Sequence, residues 1–403
     1  MTISNIGPDT IKEEIRGLAA RIKEELIAIR RDIHSHPELS FREERTASLV
    51  EKYLLNLGLK PQRIAGTGVW AMIEGKSPGR TVGLRADLDA LPIEEKNDKP
   101  YVSQNKGVMH ACGHDVHTSS LLGAAKILAS MKDRLEGNVK LVFQPGEEKL
   151  PGGASLLIKE GILENPKVDV MIGQHVMPFI KTGSVGFRKG LYMASTDEIY
   201  MTVHGKGGHG AMPHLTIDPV AISAQIIIAL QQVVSRKARP ILPTVLTFGK
   251  INSDGGATNV IPDSVSLEGT LRTLDEQWRA EAKELIVKIA RNTAEAYGAT
   301  LDIRIEHGYP FLKNDESLTH SIMNFAREYM GDDKVENLDI WMAAEDFAYY
   351  SQEIPSCFYR LGTRNEEKGI TSAVHTNTFD VDEDALETGA GLMAWLAVKA
   401  LAG

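Results

Sequence analysis

His110-Ala111-Cys112-Gly113-His114-Asp115, followed at once by Val116 and His117, packs three imidazoles, a thiol and a carboxylate into eight positions. Gly113 lets the backbone bend tightly inside the stretch. Just beyond it Leu121, Leu122, Ala125, Leu128 and Met131 recur at helical spacing. The stretch therefore reads as a loop feeding the N-terminus of a helix over 117–131. Its chemistry alone has three readings: metal donors, a thiol nucleophile, or a buried structural cysteine. The choice depends on what the rest of the chain brings to it.

Apolar runs on both sides predict strands at 68–73, 81–86, 139–143 and 169–172, with a turn at 76–80 and helices at 10–30, 42–57 and 152–160. Asp87 and Asp89 follow the second strand, Glu147 and Glu148 the third, and His175 ends the fourth. In open α/β sheets ligands bind outside the carboxyl ends of the strands, so Asp87, Glu147, Glu148 and His175 are expected to converge. His34 and His36 fall in a loop before Pro37 and read equally well as support for that site or as surface histidines.

Between 195 and 307 the order becomes strand 198–204, helix 217–235, strands 244–251 and 264–273, helix 276–297, strand 300–306. That is a β-α-β-β-α-β, ferredoxin-like unit, whose adjacent ends allow insertion into another domain. The first style then resumes, with a helix at 318–329, a strand at 357–361 and a helix at 384–401. The expectation is an α/β catalytic domain built from 1–194 and 308–403, interrupted by an inserted lid at 195–307. The apolar run 226–230 fits either a dimer-facing helix or helix-on-sheet core.

The totals narrow the class. A chain of 403 residues with 42% hydrophobic content suits two or three globular domains. With 45 basic against 54 acidic residues and a net charge of -9, it is no general binder of nucleic acid or anionic membrane. Two distant cysteines make no disulfide framework and fit a reducing compartment. The N-terminal MTISNIGPDTIKEEIRGL lacks a signal-peptide core, and no run approaches the roughly 20 apolar residues of a membrane span. A soluble, cytoplasmic protein is expected.

A two-metal hydrolytic site needs several N, O or S donors, one able to bridge, and a base beside the activated water. Cys112, His114, Glu147, Glu148, His175 and His375 supply such a set. On extended backbone Glu147 and Glu148 point to opposite sides, so one would bind metal and the other face the water; a solvated loop pair is the alternative. The nucleophile reading has Cys112 activated by His110 or His114 and the helix N-terminus, but it leaves Glu148, His175 and His375 without work. Cys357, in an apolar strand, reads as core. Gly205–Gly210, GKGGHG, matches G-x-G-x-x-G only formally, because Pro213 and Pro219 delay the helix and no acid follows. Its glycines read as letting a loop with His209 and His214 approach a ligand, with a simple lid turn as the alternative.

HSHPELSF, RADLDALPIEE, GVMHACGHDVHT, VFQPGEE, GQHV, VHGKGGHGAMPH, NVIPD, GTLRT, AEDFAYY and HTNTFDVDEDAL together resemble the N-acyl amino acid amidohydrolases. That family includes hippurate hydrolases, auxin-conjugate hydrolases and thermostable carboxypeptidases, within the aminoacylase and carboxypeptidase superfamily of two-metal peptidases. The resemblance implies a zinc-peptidase-like mixed-sheet α/β domain with an inserted ferredoxin-like lid through which the chain forms a homodimer or higher homo-oligomer. It implies two divalent ions held by Cys112, His114, Glu148, His175 and His375, with Glu147 as general base. Zinc suits this donor set first; manganese, cobalt and nickel are compatible. His209 resembles a lid histidine that reaches a neighbouring subunit's site, and Asn259, Arg272 and His214 resemble substrate contacts. Asp87, Asp89, His110 and Asp115 take supporting positions. The implied reaction is hydrolysis of an N-acyl amino acid. The competing readings are a metallo-carboxypeptidase or dipeptidase using the same site, and a metal-dependent binding protein without catalysis.

Overall fold

Helix Pro8–Ser35 opens the computed structural model, which describes residues 8–402. Residues 1–7, the start of the stretch read as lacking a signal-peptide core, lie outside the described residues. The helix buries Ile11, Ile15, Ala19, Ile22, Leu26 and Ile33. It runs past the expected end at 30, which places His34 in its last turn rather than in a loop. The extension has a long-range cause: Arg30 and His34 both find a buried acceptor in Asp115, at 2.7 and 2.8 Å.

The chain forms two compact units. The larger comprises the residues up to Gly190, Lys313–Asp339 and the chain from Asp346 onward; the smaller comprises Leu191–Leu312 and Ile340–Glu345.

In the larger unit an eight-stranded mixed sheet runs in the order Gln62–Ile64, Gly68–Glu74, Glu136–Gln144, Ser77–Asp87, Val170–Lys181, Ser356–Arg364, Val185–Phe187, Val335–Asn337. Its four central strands are mutually parallel. Strands of this kind are covered on both faces, as Thr81 to Asp87 is with every residue buried. The expected turn at 76–80 is instead the irregular start of the Ser77–Asp87 strand. His175 does not end its strand, which continues to Lys181 because Ser356–Arg364 pairs with it as far as Arg364↔Lys181. It does lie beyond its other neighbour, whose pairing stops at Arg85↔Gly173.

Helices Pro8–Ser35, His114–Ser130 and Ala385–Ala402 pack on one another. At their meeting point a Cβ on Gly123 would lie 2.7 Å from both Leu26 Cδ1 and Ala390 Cβ, so the glycine sets the closeness of the three axes. Among the described residues two helices, Pro219–Lys237 and Ala385–Ala402, are long and apolar enough to cross a bilayer by length and composition, contrary to the expectation that no run approaches a membrane span. The second is 78% buried and serves as a core helix.

The smaller unit follows the order β-α-β-β-α-β through Asp197–His204, Pro219–Gln232, Thr244–Ser253, Ser264–Thr273, Glu276–Ala296 and Thr300–His307. Its antiparallel sheet runs Thr244–Ser253, Ser264–Thr273, Asp197–His204, Thr300–His307, the ferredoxin-like strand order. Ile199, Met201, Val203, Ile226, Leu230, Leu267, Ile286 and Ala290 form its core between sheet and helices. Arg279 ties the two ends of the unit together: it donates to both oxygens of the buried Asp197 at 2.7 and 3.0 Å, to Thr196 O at 2.9 Å and to Gly308 O at 3.0 Å. Removing one partner of a buried pair strands the other. Arg279→Ala should therefore lower unfolding stability by about 3–5 kcal/mol in urea titration, whereas Lys250→Ala, from an exposed pair with Glu268, should change it by less than about 1 kcal/mol.

Candidate metal centre

Gly113, at φ 80°, turns the chain into helix His114–Ser130, so His114 is itself the first helical residue and the helix starts three residues earlier than expected. This places Cys112 just outside the helix and His114 just inside it. His175 reaches the same point from the central strand, with its Nε2 3.4 Å from Cys112 Sγ. His375 arrives from the C-terminal segment at 3.3 Å from Cys112 Sγ and 3.2 Å from Glu148 Oε1. Its backbone adopts φ 61°, a left-handed conformation costly for histidine, held by a hydrogen bond from His375 N–H to Ala111 O at 2.8 Å. Two donor trios result, Cys112–His114–His175 and Cys112–Glu148–His375, each with its donor atoms within 4.8 Å of one another. Cys112 belongs to both.

Glu147 and Glu148 lie in a turn after Gly146, not on extended backbone. They are therefore not held on opposite sides, as neighbours on an extended strand would be. Both face His114 Nε2, at 4.0 Å from Glu147 Oε2 and 3.9 Å from Glu148 Oε1. Asp89 organises this turn. Its Oδ1 accepts from Glu147 N–H at 3.0 Å, and its Oδ2 from Glu148 N–H at 2.9 Å and from the Ser40 hydroxyl at 2.6 Å. Oδ1 also lies 3.3 Å from His114 Nδ1, so that nitrogen carries its proton toward Asp89.

The backbone of Val176 sets the tautomers of two further histidines. His117 Nε2 accepts from Val176 N–H at 2.8 Å, so His117 donates from Nδ1 to Asp87, 2.5 Å away. His175 donates from Nδ1 to Val176 O at 2.8 Å, which leaves its Nε2 lone pair facing Cys112. Asp87 is balanced by Arg85, which donates to it at 2.5 Å, to Gln144 at 3.0 Å and to Asp346 at 2.7 Å. Asp346 in turn donates its N–H to Glu147 Oε1 at 3.4 Å.

Electrostatics shows what the cluster lacks. Burial pushes the Cys112 thiol well above its usual range, and Glu148, Glu147 and Asp87 push it further. Burial opposes charge on His114, but Asp87 and Asp89 outweigh it and raise the imidazole to about 10. Burial and the nearby Arg360 hold His175 well below its normal value. His114 Nε2 is buried and has no hydrogen-bond partner among the described residues. Thiolate, imidazole and carboxylate donors crowded by anions, with an unpartnered ring nitrogen aimed among them, fit a borderline divalent cation.

The supporting residues divide. Asp115 accepts from Arg30 and meets His34; burial would raise its carboxyl, but these two cations hold it well below the carboxylate range. His34 is thus a buried member of the network, while half-buried His36 turns to the Asp32 carbonyl at 2.8 Å. Burial pushes His110 down to about 3, and neither of its ring nitrogens has a partner among the described residues. His209, Asn259, Arg272 and His214 all belong to the smaller unit. His209 pairs with Val260 on a two-stranded ribbon, and Asn259 O accepts from Gly210 N–H at 2.7 Å. His214 sits on the turn Pro213–Leu215. Arg272 lines a 340 Å³ groove on the sheet with Glu198, Tyr200 and Lys250. Cys357 is buried core. Sequence reasoning missed Arg30, Arg85, Gln144 and Asp346, whose spacing carries no donor pattern; AEDFAYY, which contains Asp346, entered only through the resemblance.

The profile of peptidase family M20/M25/M40 matches residues 83–399. Thermostable carboxypeptidase 2 of Saccharolobus solfataricus is 41% identical over 391 residues, 96% of this chain and 98% of that protein. An N-acyl-L-amino acid amidohydrolase of Geobacillus stearothermophilus is 44% identical over 307 residues, covering 76% and 82%. A crystal structure from Bacillus subtilis, described as a dinuclear metal-binding peptidase of the M20 family, superposes with a TM-score of 0.79 at 33% identity, covering 95% of this chain and 99% of that one.

With protein groups alone around them, Cys112 and His114 both hold a proton at pH 7. Metal binding must displace one from each, so apparent affinity should rise with pH. Calorimetric zinc titration in buffers of different ionisation enthalpy should record that release; binding without it would contradict the donor assignment.

Proposed function

The chain belongs to peptidase family M20/M25/M40, and from that membership we propose that it hydrolyses the amide bond of N-acyl amino acids. The sharing of Cys112 by two donor trios, with Glu147 standing beside them, carries this reading. In it Cys112, His114, His175, Glu148 and His375 would hold two divalent ions, with Cys112 common to both trios. Zinc suits thiolate and imidazole best, with manganese, cobalt or nickel as substitutes. Such a pair, when bound, supplies Lewis-acid polarisation of the acyl carbonyl and acidification of a water.

The protein supplies the remaining steps. Glu147 takes a proton from the attacking water, holds it on the carboxyl and returns it to the leaving amine. At 6% exposure, that carboxyl is little open to bulk water. Asp89 and the Asp346 N–H hold Glu147 in place, and Asp89 orients His114. His209 supplies a hydrogen bond where negative charge develops on the acyl oxygen. Asn259 and Arg272 contact the substrate carboxylate, with His214 nearby.

A second reading, a metallo-carboxypeptidase or dipeptidase acting through the same residues, draws on the carboxypeptidase relative at 41% identity. The smaller unit acts as a lid and joins two copies. Exposed Val220 and Ile228 on helix Pro219–Gln232 support that role. Two free, buried cysteines fit a cytoplasmic setting.

Glu147→Gln should keep its metal, read by elemental analysis, and lose turnover by about 10²–10⁴-fold. A metal-loaded, fully active variant would refute the base. Chelation should abolish activity and zinc, manganese or cobalt restore it. A panel of N-acetyl and N-benzoyl amino acids against free and blocked dipeptides separates the two readings: faster cleavage of the peptides would make peptidase the main activity.

A further inference from the structure

Three consecutive backbone N–H groups enter the glutamate pair, and each ends on a buried carboxylate. Glu147 and Glu148 donate to Asp89; Gly146 donates to Glu43 Oε1 at 2.8 Å. Glu43 is fully buried, and the reaction as described makes no use of it.

Glu43 occupies the cap position of helix Glu44–Asn56 but makes no capping bond there. Glu38 performs that task, accepting from the N–H groups of Arg45 and Thr46 at 3.0 and 2.9 Å. The carboxylate of Glu43 is therefore turned away from its own helix. Oε1 accepts from Phe41 N–H at 2.8 Å as well as from Gly146, and Oε2 accepts from the Thr67 hydroxyl. No cation pairs with Glu43 among the described residues. A buried anion without a countercharge is expensive, and a packing role alone would be met by an apolar side chain.

The segment it braces is also strained. Phe41 has φ 64°, unfavourable for a bulky residue. Its ring covers Gly146, at φ 58°, so closely that a Cβ on the glycine would collide with it. Gly146 is the one freely rotating joint between strand Glu136–Gln144 and Glu147, and Glu43 locks it to the turn at Phe41.

We infer that Glu43 is a positioning residue: by fixing the Gly146 amide against Phe41 and Thr67, it sets where the carboxylate of Glu147 stands. The inference rests on Glu147 being the base. Asp89 still accepts from the Glu147 and Glu148 amides without it, so losing Glu43 should free the Gly146 end of the turn, shift the carboxylate of the adjoining Glu147 and spare Glu148, one residue further on.

The test compares metal-loaded wild type, Glu43→Ala, Glu43→Gln and Glu147→Gln by steady-state kinetics on an N-acyl amino acid, elemental analysis, and amide hydrogen exchange across residues 144–148. Glu43→Ala should exchange the Gly146 amide faster and lose kcat by about 10- to 100-fold, with KM within about twofold and metal content unchanged. Glu43→Gln keeps an oxygen acceptor and should recover most of the rate; if the alanine variant does not fold, Thr67→Val, which removes the Oε2 anchor, should show the same exchange and kcat changes in smaller degree. A folded Glu43→Ala protein with wild-type kcat, with unchanged Gly146 exchange, or with metal lost in proportion to activity would overturn the inference. An active Glu147→Gln enzyme would instead remove the base reading itself, and this one with it.

Discussion

The two oxygens of Asp89 accept from the N–H groups of Glu147 and Glu148 and from the Ser40 hydroxyl, and meet the imidazole of His114. Three segments remote in sequence are thereby joined at one buried carboxylate: the loop after the first helix, the entry to helix His114–Ser130, and the turn after strand Glu136–Gln144. A hydrogen bond to a charged acceptor contributes about 1.5–3 kcal/mol, and an unsatisfied buried partner costs a comparable amount. None of the three segments can move without stranding a polar group of another. The donor atoms are held in place before any ligand arrives, which is the condition for electrostatic catalysis at low reorganisation cost.

Behind that carboxylate the charges are arranged in layers. Arg85 neutralises Asp87 and Asp346, and Arg30 with His34 neutralises Asp115. Both arginines are completely buried. At the front, Glu148 and Cys112 have imidazoles but no guanidinium or ammonium at salt-bridge distance among the described residues. Burial first and the carboxylates second push the thiol upward, while Asp87 and Asp89 hold a proton on His114. The same asymmetry argues against Cys112 as a nucleophile, since surrounding carboxylates raise the thiol where a nucleophile needs it lowered.

Much of this architecture was legible from apolar periodicity. The central strands, the helix after HACGHD and the β-α-β-β-α-β order of the smaller unit follow directly from runs of Val, Ile and Leu punctuated by glycine and proline. Errors came where a long-range partner overrode the local signal. Helix Pro8–Ser35 runs past 30 because Asp115, some 80 positions away, receives Arg30 and His34. His175 lies inside a strand because Ser356–Arg364 keeps pairing beyond it. Glu147 and Glu148 sit in a turn because Asp89 accepts both of their amides.

Residue types and their order were enough to nominate the thiol, imidazoles and carboxylates of the donor set, because only a few side chains can hold a borderline metal and they stand where apolar runs stop. What the tertiary structure alone decided is the sharing of Cys112 by two trios, the tautomers imposed by Val176, and the buried partners Arg30, Arg85, Asp346 and Glu43. Those depend on distances between segments dozens to hundreds of positions apart. A sequence carries the chemical capacity of each side chain, but burial and neighbouring charge set whether it donates, accepts or holds a proton, and these exist only once the segments have packed.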